Sequence, residues 1–107
     1  MMGAGKVVEE TTNLDAVTSA TTGSKVDCRW YNRISVFINC TVNTNTVTVT
    51  IQGSIDGTTW FDLDAKTYVA TGNDVYHYGY NTYYPYIRTK TTSQTDATIT
   101  TFIAARN

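Results

Sequence analysis

Charge is scarce in this chain. Lysine, arginine, aspartate and glutamate together make up 16% of its 107 residues, the formal net charge is −1 and the pI is near 5.6. A nucleic-acid partner held by phosphate neutralisation needs a basic excess that is not there. Histidine occurs once, as His77, and no Asp, Glu or Cys around it shows zinc-ligand spacing. The two cysteines, Cys28 and Cys40, form no C-x-x-C pair, which removes the usual redox motif. No apolar run approaches the length of a bilayer span, so no membrane partner is expected. Residues 1–10 lack a continuous apolar stretch and turn acidic at Glu9 and Glu10, so no secretory signal is read and synthesis in the cytoplasm is expected. Glycine-rich phosphate loops, nucleophile elbows and enclosed acid pairs are missing as well. No enzyme, cofactor, catalytic residue or metal site is therefore assigned. Asp56, Asp62 and Asp64 offer at most a weak calcium site, because carboxylates beside a hairpin are usually solvated turn residues.

What the chain has in quantity is threonine, about a fifth of all residues, whose branched Cβ favours strands over helices. Val47, Val49, Ile51, Gly53 and Ile55 fall on one parity, and Thr46, Thr48, Thr50, Gln52 and Ser54 on the other. Successive strand side chains point to opposite faces, so this ribbon has one face to bury and one for water or a partner. Asp56-Gly57 then supplies a turn that tolerates positive φ. Ile34, Val36, Ile38 and Cys40 alternate in the same way. Further strands are expected over 25–28, 60–63, 67–70, 75–80, 84–91 and 98–105, with turn residues between them and no helical period. The fold expected is all-β, an antiparallel β-sandwich of jelly-roll type over residues 16–107, preceded by a flexible N-terminal arm over 1–15. Val36, Ile38, Val49, Ile51, Ile87 and Ile99 are the expected core.

Residues 47–63 (VTVTIQGSIDGTTWFDL), 86–90 (YIRTK) and 97–104 (ATITTFIA), with the upstream AVTSATTG at 16–23, resemble small β-sandwich proteins encoded among the virion genes of tailed bacteriophages. The likeness extends from about Ala16 to Ala105. It implies a structural virion component, an auxiliary decoration protein on the capsid surface. The major capsid protein and further copies of the chain would then be its partners. A tail, neck or baseplate component and a carbohydrate-binding adhesion module are the alternatives, the last with weak glycan binding.

Aromatic residues mark the expected interface. Tyr76, Tyr78, Tyr80, Tyr83, Tyr84 and Tyr86 cluster in sequence, and Arg88 follows. With Val75 and His77 on the inner parity, Tyr76 and Tyr78 point outward; Tyr84, Tyr86 and Arg88 share a face opposite Ile87. Tyrosine and arginine are enriched where proteins bind each other. The alternatives are that these rings pack along the ends of the sandwich or stack on a sugar. Trp30, with Tyr31, is expected exposed at a strand entry, and Trp60 is expected to plug one end of the core. Cys28 and Cys40 are read as inward on neighbouring strands, which permits a disulfide, although a cytoplasmic product keeps its thiols reduced. The near-zero net charge predicts attachment through buried area and neutral hydrogen bonds, with little response to salt.

Overall fold

The alternating run becomes strand β4 (Val47–Ser54), and β5 (Phe61–Tyr68) returns antiparallel beside it. Around this hairpin the remaining strands pair in nested order. β3 (Arg33–Thr41) pairs with β6 (Gly72–Gly79), β2 (Val26–Asp27) with β7 (Tyr86–Thr92), and β1 (Val8–Val17) with β8 (Thr98–Arg106). Lateral pairing of β3 with β8 and of β4 with β7 gathers the strands into two four-stranded sheets, β1-β8-β3-β6 and β2-β7-β4-β5. A long double ribbon rolled in this way is the jelly roll. The computed structural model describes residues 8–42, 46–79, 84–92 and 97–107.

The core lies between the sheets. Val36, Ile38, Val49, Ile51, Ile87 and Ile99 are all in it, none more than 1% exposed, joined by Ile34, Val47 and Ile103. Thr89 and Thr101 are buried among them, and their hydroxyls meet across the sheets at 2.7 Å. The outer parity of β4 departs from expectation, because Thr50, Gln52 and Ser54 are buried rather than open to water. β4 is an interior strand with β5 and β7 on its flanks, and Asp62 and Arg88 reach over it from either side to Gln52. Ile55, placed by parity on the inner face, is 72% exposed. The strand ends before it: Ser54 Oγ accepts the Gly57 N–H at 2.8 Å, and Asp56 accepts the Thr58 and Thr59 N–H groups at 2.9 and 2.8 Å. Gly57 takes the left-handed φ of 81° that this turn requires.

Residues 8–15, read from the sequence as part of an arm, are in strand β1 of the structure. A bulge between Thr12 and Leu14 leaves Asn13 out of the β8 register and turns its side chain to the other sheet. Its Oδ1 accepts from Thr89 N–H at 2.8 Å and from Thr89 Oγ1 at 2.7 Å, and its Nδ2 donates to Ser24 O at 2.7 Å. Leu14 follows into the core, and its N–H donates to Thr101 Oγ1 at 3.1 Å. Two adjacent residues thus supply anchoring that a count of apolar residues does not register.

Candidate functional site

The tyrosines divide by strand register. On β6, Tyr78 lies opposite Ile34, Tyr76 opposite Val36 and Asp74 opposite Ile38, all three partners on the inner face of β3. Tyr76 and Tyr78 therefore point inward, and Val75 and His77 point outward, the reverse of the sequence reading. The Val75 and His77 parity was ambiguous in sequence because tyrosine is amphipathic; cross-strand pairing with β3 decides it. Tyr78 is buried and its hydroxyl donates to Asp64 of β5. Tyr68 of β5 donates to Asp74 of β6 at 2.8 Å. Burial, reinforced by these bonds to carboxylates, raises both phenols above their ordinary pKa.

Tyr84 also leaves the expected face. It packs against the core beside Gly53, where an added Cβ would stand 2.7 Å from the ring. Tyr80 and Tyr83 lie outside the described residues. Tyr31 packs on the core edge and its N–H donates to Cys28 O at 3.1 Å, while Trp30 is 78% exposed in the adjoining turn. Of the expected interface residues described here, Trp30, Tyr86 and Arg88 are the ones that face outward. Tyr86 and Arg88 share the outer face of β7 because the buried Ile87 and Thr89 alternate with them.

That face is built across three strands. Gln52 of β4 lies opposite Asp62 of β5 on one side and Arg88 of β7 on the other. Gln52 Nε2 donates to Asp62 Oδ1 at 2.8 Å, and Arg88 Nε donates to Gln52 Oε1 at 2.8 Å. Trp60 does not plug the core. Its half-buried ring lies against the Arg88 guanidinium, with Cζ 4.1 Å from the ring centroid. Next along β7, the Tyr86 ring has Lys25 Nζ at 5.4 Å and Arg29 Cζ at 5.7 Å. The sequence signal for this arrangement was the tryptophan just past the Asp-Gly turn, but its partner 28 residues away was not legible.

The weak calcium site does not assemble. A register shift in β4–β5 pairs Gln52 with Asp62 but Ile51 with Asp64, so Asp62 faces out and Asp64 faces in, while Asp56 is engaged within its own turn. Among the described residues no three His, Cys, Asp or Glu side chains gather to hold a metal. His77 sits on the open outer face of the first sheet, its Nδ1 2.9 Å from Ser35 Oγ. Cys28 and Cys40 lie on different sheets, Cys28 just after β2 and Cys40 on β3, and no disulfide joins them. Burial, helped by the charge of Asp27, pushes the Cys28 thiol up to about 12, which suits a small core residue rather than a nucleophile. On the first sheet's outer face, an open groove of about 750 Å³ runs past Phe37, Val75 and Phe102.

No family model and no curated protein sequence matches the chain. Solved structures do resemble it in fold. The SPBc2 prophage-derived protein YomS superposes with a TM-score of 0.67 at 10% identity, over 92% of this chain and 93% of that one. The PBSX exported protein XepA gives 0.61 at 13% identity over 94% of this chain, which spans 37% of XepA. A structure of Bacillus endospore appendages, described as disulfide-linked pili, gives 0.54 at 12% identity over 94% of this chain and 84% of that one. Over its described residues the chain is thus an eight-stranded jelly-roll sandwich of a kind found in phage-derived proteins and in a pilus, with no sequence kinship implied at these identities.

Proposed function

We propose that the chain is a non-enzymatic structural protein of a phage particle, acting as an auxiliary decoration protein on the outer capsid surface and reinforcing contacts between capsomers. The observation that carries this reading is the end-to-end fold match with a prophage-derived protein, over more than nine-tenths of both chains. The partners under this reading are the major capsid protein and other copies of the chain. The site supports adhesion rather than turnover: an outward face of tryptophan, tyrosine and arginine, framed by threonines cheap in side-chain entropy to immobilise. The Ser35–His77 pair lies on an open sheet face and the Cys28 thiol is held protonated by burial, so neither supplies an activated nucleophile in a cleft.

Reconstruction of the intact particle from the phage that encodes the chain tests this. Jelly-roll density outside the capsid shell is expected. Density on the tail, neck or baseplate would move the protein there, and its absence from the particle would overturn the structural reading. The groove past Phe37 and Phe102 favours one second reading, a glycan-binding adhesion module. Shifts of the Phe37 and Phe102 ring resonances on titration with host surface polysaccharide would support it.

A further inference from the structure

The Arg88 guanidinium is fixed without being neutralised. Asp62 reaches it only through Gln52: the carboxylate accepts from the Gln52 amide, and the amide oxygen accepts from Arg88 Nε. An arginine needed only to balance a surface charge would pair with Asp62 directly; here a neutral amide is interposed. Trp60 covers one planar face at 4.1 Å. With Nε–H engaged and that face stacked, the two terminal Nη groups are the part left to meet a partner, held in a rigid fork.

The surroundings point the same way. Lys90 projects from the same face of β7, about 7 Å further along the strand. Tyr86 projects equally far on the other side, with Lys25 and Arg29 about its ring. Arg29 is paired with Asp27 at 2.7 Å, and Lys66 with Asp74 across the β5–β6 edge; among the described residues, Lys25, Arg88 and Lys90 make no ion pair. On the outer face of one sheet, Lys25, Arg29, Arg88 and Lys90 thus stand against Asp27 and Asp62, a basic excess flanked by Trp60 and Tyr86 in a chain of net charge −1. Composition does not reveal this distribution of charge over faces.

We propose that this face docks on a carboxylate-bearing protein surface, with Arg88 as a bidentate anchor for an aspartate or glutamate side chain and Lys25 and Lys90 as flanking charges. A planar fork matches a planar carboxylate through two parallel hydrogen bonds. Tryptophan, tyrosine and arginine are also the residues that anchor protein interfaces. A nucleic-acid track requires a longer run of cations than one guanidinium between two lysines. This inference deepens the structural reading by naming the chemistry of the partner, and rests on that reading only for which protein the partner is.

The test uses the purified full chain, so its outcome is independent of whether the protein is found on a particle. Fluorescence anisotropy follows binding of labelled poly-L-glutamate, with duplex DNA as the rival polyanion. Arg88→Gln and the double variant Lys25→Gln/Lys90→Gln are each expected to weaken poly-L-glutamate binding about tenfold or more. Arg88→Lys should weaken it nearly as much, since a point charge lacks the fork. Arg106→Gln removes the same charge from the exposed end of β8 on the other sheet, and should change binding less than about twofold. Thermal melts check folding; if Arg88→Gln unfolds, the double lysine variant, which leaves the Asp62–Gln52–Arg88 chain intact, decides. The proposal is overturned if wild-type protein does not bind poly-L-glutamate, if Arg106→Gln is as damaging as Arg88→Gln, or if Arg88→Lys binds like wild type. Tighter binding of DNA through the same residues would reassign the face to a nucleic acid.

Discussion

Tyr78 and Asp64 join the two sheets along one open side of the sandwich: the phenol on edge strand β6 donates to the carboxylate on edge strand β5. Tyr68 and Asp74 make the same bond in the opposite sense at 2.8 Å, so the two edges are cross-linked reciprocally. Inward-pointing Asp64, Lys66 and Asp74 also make both edges poor templates for pairing with a foreign strand. Tyr78, read from the sequence as an interface residue, is here part of a closure.

Breaking one arm of this closure tests its contribution. Tyr78→Phe leaves the half-buried Asp64 carboxylate without its phenol, and should cost about 1 to 3 kcal/mol in urea unfolding. In a double-mutant cycle with Asp64→Asn, the double variant should lose less than the sum of the singles. Additive losses would mean the two side chains are not coupled.

Stability should respond to pH at both ends. Tyr68 and Tyr78 have raised native pKa values, from burial first and carboxylate bonds second. Below about pH 10 both states keep these protons and the contribution is complete; above it the unfolded chain releases them first, so unfolding becomes easier as pH rises. The urea midpoint should fall above about pH 10, and Tyr68→Phe/Tyr78→Phe should flatten that fall. Asp56 behaves oppositely. Hydrogen bonds from the Thr59 and Thr58 N–H groups hold its carboxyl well below the usual carboxylate range, so its contribution is present at neutral pH and lost on acidification. Asp56→Ala should therefore be less stable than wild type at neutral pH, with the gap closing in acid.

Asn13 is predicted to decide whether β1 belongs to the fold. Asn13→Ala removes three hydrogen bonds, two of them to the buried Thr89. Amide hydrogen exchange should show β1 protected in the wild-type protein and exposed in the variant, with β3 and β4 unchanged. Equal protection of β1 in both would show that pairing with β8 holds it alone.

Packing at the core is expected to be tight in both directions. Ile51→Ala should cost about 2 to 5 kcal/mol through lost transfer energy and a residual cavity. Gly53→Ala pushes a methyl to within 3 Å of Tyr84 and Leu63, and should cost about 1 to 3 kcal/mol by overpacking. Chemical denaturation of each variant measures both.

The sequence by itself determined the fold class, most of the strands and the six core residues, because a period of two is a local property of the extended chain and β3 and β4 each carry it cleanly. It also marked Tyr86, Arg88 and Trp30 as outward. Tertiary structure decided what local alternation leaves open. On β6 either parity was chemically acceptable, and only pairing with β3 turned Tyr76 and Tyr78 inward. A single register shift sent Asp62 and Asp64 to opposite faces, and a bulge at Asn13 carried a polar side chain into the other sheet. Trp60, just before β5, found Arg88 on β7 because β4 lies between those strands, a neighbourhood set by chain wrapping. Parity can be read along one strand, but which face is inside depends on the partner strand, and the partner comes from distant sequence.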